Sequence, residues 1–200
     1  MMGLVAATLV ALLLAVPDGA EAFQPADRGE LVSALVACCK NEMGTIYCSH
    51  GNYATVWYYF TGIGCEKDGV DLSDWDTSLV TNMEEVFYWA SFFKADISDW
   101  DVSNVEEMQY MFCYAYAFDG DISDWDVSSV TNMKGMFYYA LHFNGDLSDW
   151  KVDNVQNMEM MFLTARDFEG DGLEKWNVGS ANNTAYMFYS AYSFNGDISD

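Results

Sequence analysis

Positive charge is what this sequence has least of. The 200 residues carry 8 Lys and Arg against 31 Asp and Glu, a formal net charge of −23. Binding to a phosphate backbone or an anionic membrane surface draws on basic patches, so nucleic acid and acidic membranes are excluded as partners. Histidine is nearly absent too. His50 and His142 stand in different regions, which argues against a Ser-His-Asp or Cys-His arrangement, and the chain is read as a non-enzyme. No C-x-x-C zinc spacing exists. Beyond the first 22 residues no run is apolar for the roughly 20 residues a membrane helix needs. A hydrophobic content of 52% separates the chain from disordered acidic tails and makes it a folded acidic protein.

What is present is a repeat. A 25-residue unit begins at Asp71, Asp96, Asp121, Asp146 and Asp171, and a sixth starts at Asp197. The third unit reads DISDWDVSSVTNMKGMFYYALHFNG. Superposed, the units give columns of one residue type. Trp75, Trp100, Trp125, Trp150 and Trp176 share one column, and Phe87, Phe112, Phe137, Phe162 and Phe188 another. Ala90, Ala115, Ala140, Ala165 and Ala191 form a third, and Phe93, Phe118, Phe143, Phe168 and Phe194 a fourth. A fixed period of this length predicts a solenoid whose coils bury their apolar sides against their neighbours.

Within one unit the apolar positions 122, 125 and 127 predict a short strand, pairing in parallel with its copies about 4.8 Å away. Val130, Met133, Met136, Phe137 and Ala140 follow at helical spacing and predict one or two helical turns. The fold class expected is therefore an α/β repeat solenoid. The fifth unit departs from the pattern: it carries an extra residue in Asp171–Trp176, and Ala181 and Thr184 replace Val and Met. Looser packing or a bulging ligand loop is expected there.

The string W-D-V-S-x-V-T-N-M-x-x-M-F-x-x-A-x-x-F-N-G-D-I-S resembles the repeat of the BspA-like leucine-rich-repeat surface proteins, over Asp71 to Asp200. The resemblance implies a leucine-rich-repeat-like right-handed coil, a secreted or cell-surface location, and a role in adhesion or binding of host or matrix proteins.

The chain divides into three regions. Residues 1–22 read as a secretory signal peptide, with a 13-residue apolar run from Leu4 to Val16 and the small-residue site Ala20-Glu21-Ala22, although no Lys or Arg precedes the run. Residues 23–70 read as an N-terminal cap. Its helix is expected over about 27–40, opened by the capping-box pattern Asp27-Arg28-Gly29-Glu30, and Asn52–Thr61 is aromatic and β-branched, as extended segments are. Residues 71–200 form the repeat region, in units 71–95, 96–120, 121–145, 146–170, 171–196 and the incomplete 197–200. No second cap is visible at the far end, where oligomerisation through the open coil, or a partner, would cover the last unit; a truncated gene product without an independent role is the further alternative.

In an oxidising compartment Cys38, Cys39, Cys48 and Cys65 are disulfide candidates, with connectivity left open. Cys113 is left over, as a free thiol or an intermolecular disulfide. Asn182-Asn183-Thr184 is an N-glycosylation sequon, making Asn182 the candidate.

Two surfaces are candidates for function. Stacked carboxylates Asp96, Asp99, Asp101, Asp121, Asp124, Asp126, Asp146 and Asp149 offer hard oxygen ligands for calcium, or else form a solvated rim that blunts strand edges. No other cofactor is expected. Asp pairs such as Asp99 and Asp101 recur in every unit, and a repeated rim is structure before it is an active site. The second surface is aromatic: Tyr88-Trp89, Tyr114, Tyr138-Tyr139 and Tyr189 follow the core Phe in four of the five units, Leu163-Thr164 taking that place in the fourth, and Tyr116 and Tyr192 sit one turn later. They either pad the gap between units or face a ligand, since amphipathic rings favour protein and glycan contacts. The Trp column is read as core. The functional expectation is an extracellular or surface recognition module binding a protein or glycan, with a calcium- or mineral-associated matrix protein as alternative.

Overall fold

The computed structural model describes residues 24–38 and 72–198. The signal-peptide reading, the extended segments at Asn52–Thr61, Cys39, Cys48 and Cys65 lie outside the described residues, as does the side chain of Cys38.

The expected α/β solenoid, with a leucine-rich-repeat-like coil of one strand and one helical segment per repeat, is overturned. The described residues contain one α-helix, α1 (Arg28–Cys38), one 3₁₀ turn (Leu173–Lys175) and no strand. The rest is turns, bends and irregular backbone.

The physical reason is visible in where the backbone N–H groups go. Along Met133–Ala140 alternate N–H groups bond within the unit, three residues back: Met136 to Met133, Tyr138 to Gly135 and Ala140 to Phe137. The N–H groups between them leave the unit. Met133, Gly135, Phe137 and Tyr139 donate to the carbonyls of Asn157, Glu159, Met161 and Leu163, at 2.8–2.9 Å. A helix would send every N–H four residues back. A chain of turns produces the same apolar spacing of three and four while sending half its donors sideways.

Such a chain needs a left-handed residue in alternate turns, as at the third position of a type II turn. Gly135 has φ 59° and Tyr139 58°; the equivalent positions hold Glu85, Tyr110, Met160 and Tyr186, and Trp89, Tyr114, Thr164 and Ser190, at 56–60°. Since residues with side chains hold that φ in four units, Gly135 serves another purpose: a Cβ there would stand 2.5 Å from the Tyr110 ring.

The predicted strand at Asp121–Val127 is also replaced by turns. Trp125 N–H donates to Ile122 and Val130 N–H to Val127. Parallel pairing between units shrinks to isolated bridges linking Asn82, Glu107, Asn132, Asn157 and Asn183 in sequence. The Asp side chains explain why the chain turns: Asp96, Asp121 and Asp146 each accept from the backbone N–H of the Ser two residues on, and so do Asp76, Asp101 and Asp126. These Asx turns compete with extended backbone.

The core is aromatic. Along one column Phe87, Phe112, Phe137, Phe162 and Phe188 lie ring over ring with centroids 5.3–5.6 Å apart and planes within 8°. Within each unit this Phe meets the second one at 3.9–4.1 Å. The Trp side chains are buried beside them, and their indole N–H groups reach back one unit: Trp100 to the Leu72 carbonyl, Trp125 to Ile97, Trp150 to Ile122 and Trp176 to Leu147, at 2.8–3.2 Å. Burying Trp with its one donor satisfied avoids the cost of an orphaned polar group.

Helix α1 packs on this core through Leu31, Ala34 and Leu35. Half of its capping box forms: Asp27 Oδ1 accepts from Glu30 N–H at 2.9 Å, while the Glu30 carboxylate reaches one residue beyond the cap and accepts from Ala26 N–H at 3.0 Å. Arg28 joins it to the first unit, donating from Nε to the Glu84 carbonyl and pairing with Glu85 at 3.9 Å. In the fifth unit the extra residue is taken up by Gly172, at φ 84°, ahead of the 3₁₀ turn.

Two outcomes are expected. Phe137→Ala, at a fully buried ring contacting both neighbouring units, lowers unfolding free energy by about 3–5 kcal/mol, whereas Phe188→Ala, on a partly buried ring, costs less than half of that; equal losses in chemical denaturation would refute the column as the source of stability. The second concerns acid. Hydrogen bonds from the neighbouring Ser hold Asp76, Asp96, Asp121, Asp126 and Asp146 below the usual carboxylate range. Their contribution is complete above the unfolded value of about 3.9 and is lost as pH falls through the lower folded values. Thermal melts should therefore show a fall below about pH 4 that is smaller when Asp96, Asp121 and Asp146 are all Asn, which keeps the acceptor oxygen without the titration.

Candidate recognition surface

The string of turns that carries the Phe column also builds a surface. In the first three units the apolar residue and the Phe of the string (Val86 and Phe87, Met111 and Phe112, Met136 and Phe137) are buried, while the left-handed residue after them stands partly exposed at the edge. Trp89, Tyr114 and Tyr139 hold that edge in the first three units, each preceded by Tyr88, Cys113 or Tyr138. The register between units then stacks them. Trp89 lies on Tyr114 at 4.2 Å and Tyr114 on Tyr139 at 5.1 Å, with planes 24° and 29° apart. Tyr88, Tyr116 and Tyr138 meet Tyr114 edge-on, at 6.1, 6.1 and 5.2 Å.

Six of the eight aromatic residues singled out from sequence thus form one partly exposed cluster around Tyr114. The other two do not join it. Leu163 and Thr164 interrupt the ladder in the fourth unit, and Tyr189 and Tyr192 are 62% and 75% exposed on the fifth. Sequence reasoning missed Tyr110, seated over Gly135, and Tyr186, which meets Tyr189 at 6.1 Å. Their shared column with Glu85 and Met160 was the available signal, obscured because its residue type varies.

The geometry restricts what the cluster can do. Both faces of the Tyr114 ring are occupied by neighbours, so solvent meets ring edges and hydroxyls. Burial, followed by a hydrogen bond with Tyr138, pushes the Tyr114 phenol well above its ordinary value, and burial raises Tyr88. Both hydroxyls therefore remain protonated donors at neutral pH. Cys113, 1% exposed, is a free thiol, and burial pushes its ionisation far up; a protonated buried thiol is a weak nucleophile.

The carboxylate columns are placed differently. Asp96, Asp121, Asp146, Asp101 and Asp126 each commit one oxygen to the Ser N–H described above. Asp99, Asp124 and Asp149 are exposed, the last 4.0 Å from Lys175 Nζ. Among the described residues no group of three or more His, Cys, Asp or Glu could hold a metal ion. His142 Nδ1 lies 2.8 Å from Asp167 at the surface. Asn182 is exposed, with its backbone N–H on the Gln156 carbonyl. No helix among the described residues is long and apolar enough to cross a membrane.

No curated protein and no solved structure matches the chain. A family model does, over residues 58–174 and again over 124–200, two overlapping spans that take in every complete repeat unit. With more than half of its length matched, the chain belongs to the family described as Mycoplasma protein of unknown function, DUF285.

Proposed function

We propose that this chain is a non-enzymatic extracellular recognition module that binds a partner protein through the aromatic cluster centred on Tyr114. The observation that carries the reading is the continuous ladder Trp89–Tyr114–Tyr139, with Tyr88, Tyr116 and Tyr138 around it, partly exposed across three units. Aromatic residues with a polar tip dominate binding energy at protein interfaces. Rings already held by their neighbours lose little conformational freedom on binding. The covered faces of the central Tyr114 ring favour a protein met through edges and hydroxyls over a glycan laid on an open aromatic face there.

The surface location rests on the resemblance of the repeat to BspA-like surface proteins and on the leader read in residues 1–22. The calcium alternative receives less support: Asx turns engage Asp96, Asp101, Asp121, Asp126 and Asp146, and the exposed Asp99, Asp124 and Asp149 belong to no group of three or more possible ligands among the described residues. The sequon at Asn182 stands on exposed backbone and would carry a glycan only in a eukaryotic secretory pathway.

Binding to arrays of extracellular proteins and of glycans tests the reading. Saturable binding to a protein that weakens about tenfold, or 1.4 kcal/mol, in Tyr138→Ala/Tyr139→Ala, with the melting profile kept, is expected. Binding confined to glycans, or indifferent to the double substitution, would refute it. Calorimetric titration with calcium should give no saturable heat; a response lost in Asp99→Asn/Asp124→Asn/Asp149→Asn would instead establish the matrix-protein alternative.

A further inference from the structure

The second and third units hold two phenols in a fixed meeting. The Tyr114 backbone N–H donates to the Tyr138 carbonyl at 2.8 Å, one of the crossing bonds that set the register between units. The two rings meet edge-on, with centroids 5.2 Å apart and planes at 66°, and their hydroxyls share a hydrogen bond. Phenols joined hydroxyl to hydroxyl bring together the ring carbons beside each oxygen. Those ortho carbons carry much of the unpaired electron once a phenol has lost an electron and a proton. Tyr139 meets Tyr114 differently, ring over ring at 5.1 Å with planes 29° apart. On the other face of Tyr114 lies Trp89, at 4.2 Å and partly exposed. An oxidising equivalent taken up at that indole passes to Tyr114 across the stack.

We infer that Tyr114 and Tyr138 form an oxidative coupling site. A one-electron oxidant of the haem-peroxidase class, supplied with hydrogen peroxide, joins the second and third units there by a carbon–carbon bond. Each phenol gives one electron to the oxidant and one proton to solvent. The two radicals pair at their ortho carbons, and the hydrogens on those carbons then move as protons to the oxygens, restoring both phenols. Two electrons and two protons leave the chain in all, and they reduce one hydrogen peroxide to two waters. Carbons already held together couple ahead of carbons that must meet by diffusion. The neighbours covering both faces of Tyr114 also keep a second chain off its ring. The new bond closes a loop about one repeat unit long and so narrows the unfolded ensemble. It needs only this chain and an oxidant, and it therefore goes beyond partner binding by the same cluster.

The test treats the 200-residue chain with a haem peroxidase and hydrogen peroxide. The blue fluorescence of coupled tyrosines is expected in a product that still runs as a single chain and forms at a rate independent of chain concentration. Trypsin cuts after Lys134 and so parts Tyr114 from Tyr138. Mass spectrometry should find the two peptides joined at these residues and lighter by the two hydrogens lost. Tyr138→Phe, which keeps the ring and removes the hydroxyl, should lower the yield about tenfold or more with the melting profile kept, whereas Tyr139→Phe and Tyr88→Phe should leave it unchanged. Coupling only between chains, a yield indifferent to Tyr138→Phe, or oxidation that ends at Cys113 or Trp89 without joining two tyrosines would overturn the inference. Partner binding is measured without oxidant, so failure here is separable from failure of the recognition reading.

Discussion

Everything in the repeat region depends on a division of backbone donors. In the string from Met133 to Ala140 half the N–H groups close turns inside the unit and half cross to the next. Neither set alone makes a stable object. A single turn string has too few internal bonds, and one unit cannot bury its own Phe. Crossing bonds from Met133, Gly135, Phe137 and Tyr139 set the register, and the register then places Phe137 between Phe112 and Phe162. Left-handed backbone at residues such as Tyr114 and Thr164 costs about 1 kcal/mol or more each, and it persists because both crossing bonds and buried rings over-determine it.

The same division creates the surface. In the first three units a left-handed residue every fourth position leaves its side chain partly exposed, as at Glu85, Trp89, Tyr110, Tyr114 and Tyr139, so edge columns run beside the core columns. Where the edge column is Trp or Tyr in successive units, as at Trp89, Tyr114 and Tyr139, the register that stacks the Phe rings stacks these as well. The candidate site is thus a by-product of the packing, not an addition to it. This also explains its limit: Thr164 ends the ladder because stacking requires an aromatic partner in each neighbouring unit.

Much of this was legible in the residues, and one part was misleading. The Phe and Trp columns and the edge residues Trp89, Tyr114 and Tyr139 could be located by period alone, and the Asp27–Glu30 spacing marked the start of α1. Strand and helix could not. Apolar positions 130, 133, 136, 137 and 140 suit a helix as well as a chain of turns, because the two share a rise through three and four residues per contact. Nor is the strand pattern at 122, 125 and 127 decisive when Asp121 and Asp126 can draw the following Ser N–H into a turn. Side-chain competition for backbone donors is a local effect that hydrophobic periodicity does not report.

The sequence by itself determined which residues stand in line with their copies, since a constant repeat length leaves no other register for identical apolar side chains, and it determined the strongly acidic balance, 31 Asp and Glu against 8 Lys and Arg. Only the tertiary structure decided that the Asp carboxylates bind Ser N–H groups and that Tyr114 has both ring faces covered. Those outcomes depend on the direction of each N–H and on the sign of φ at a few residues. Both are set by contacts between units 25 residues apart, which no local stretch of the chain contains.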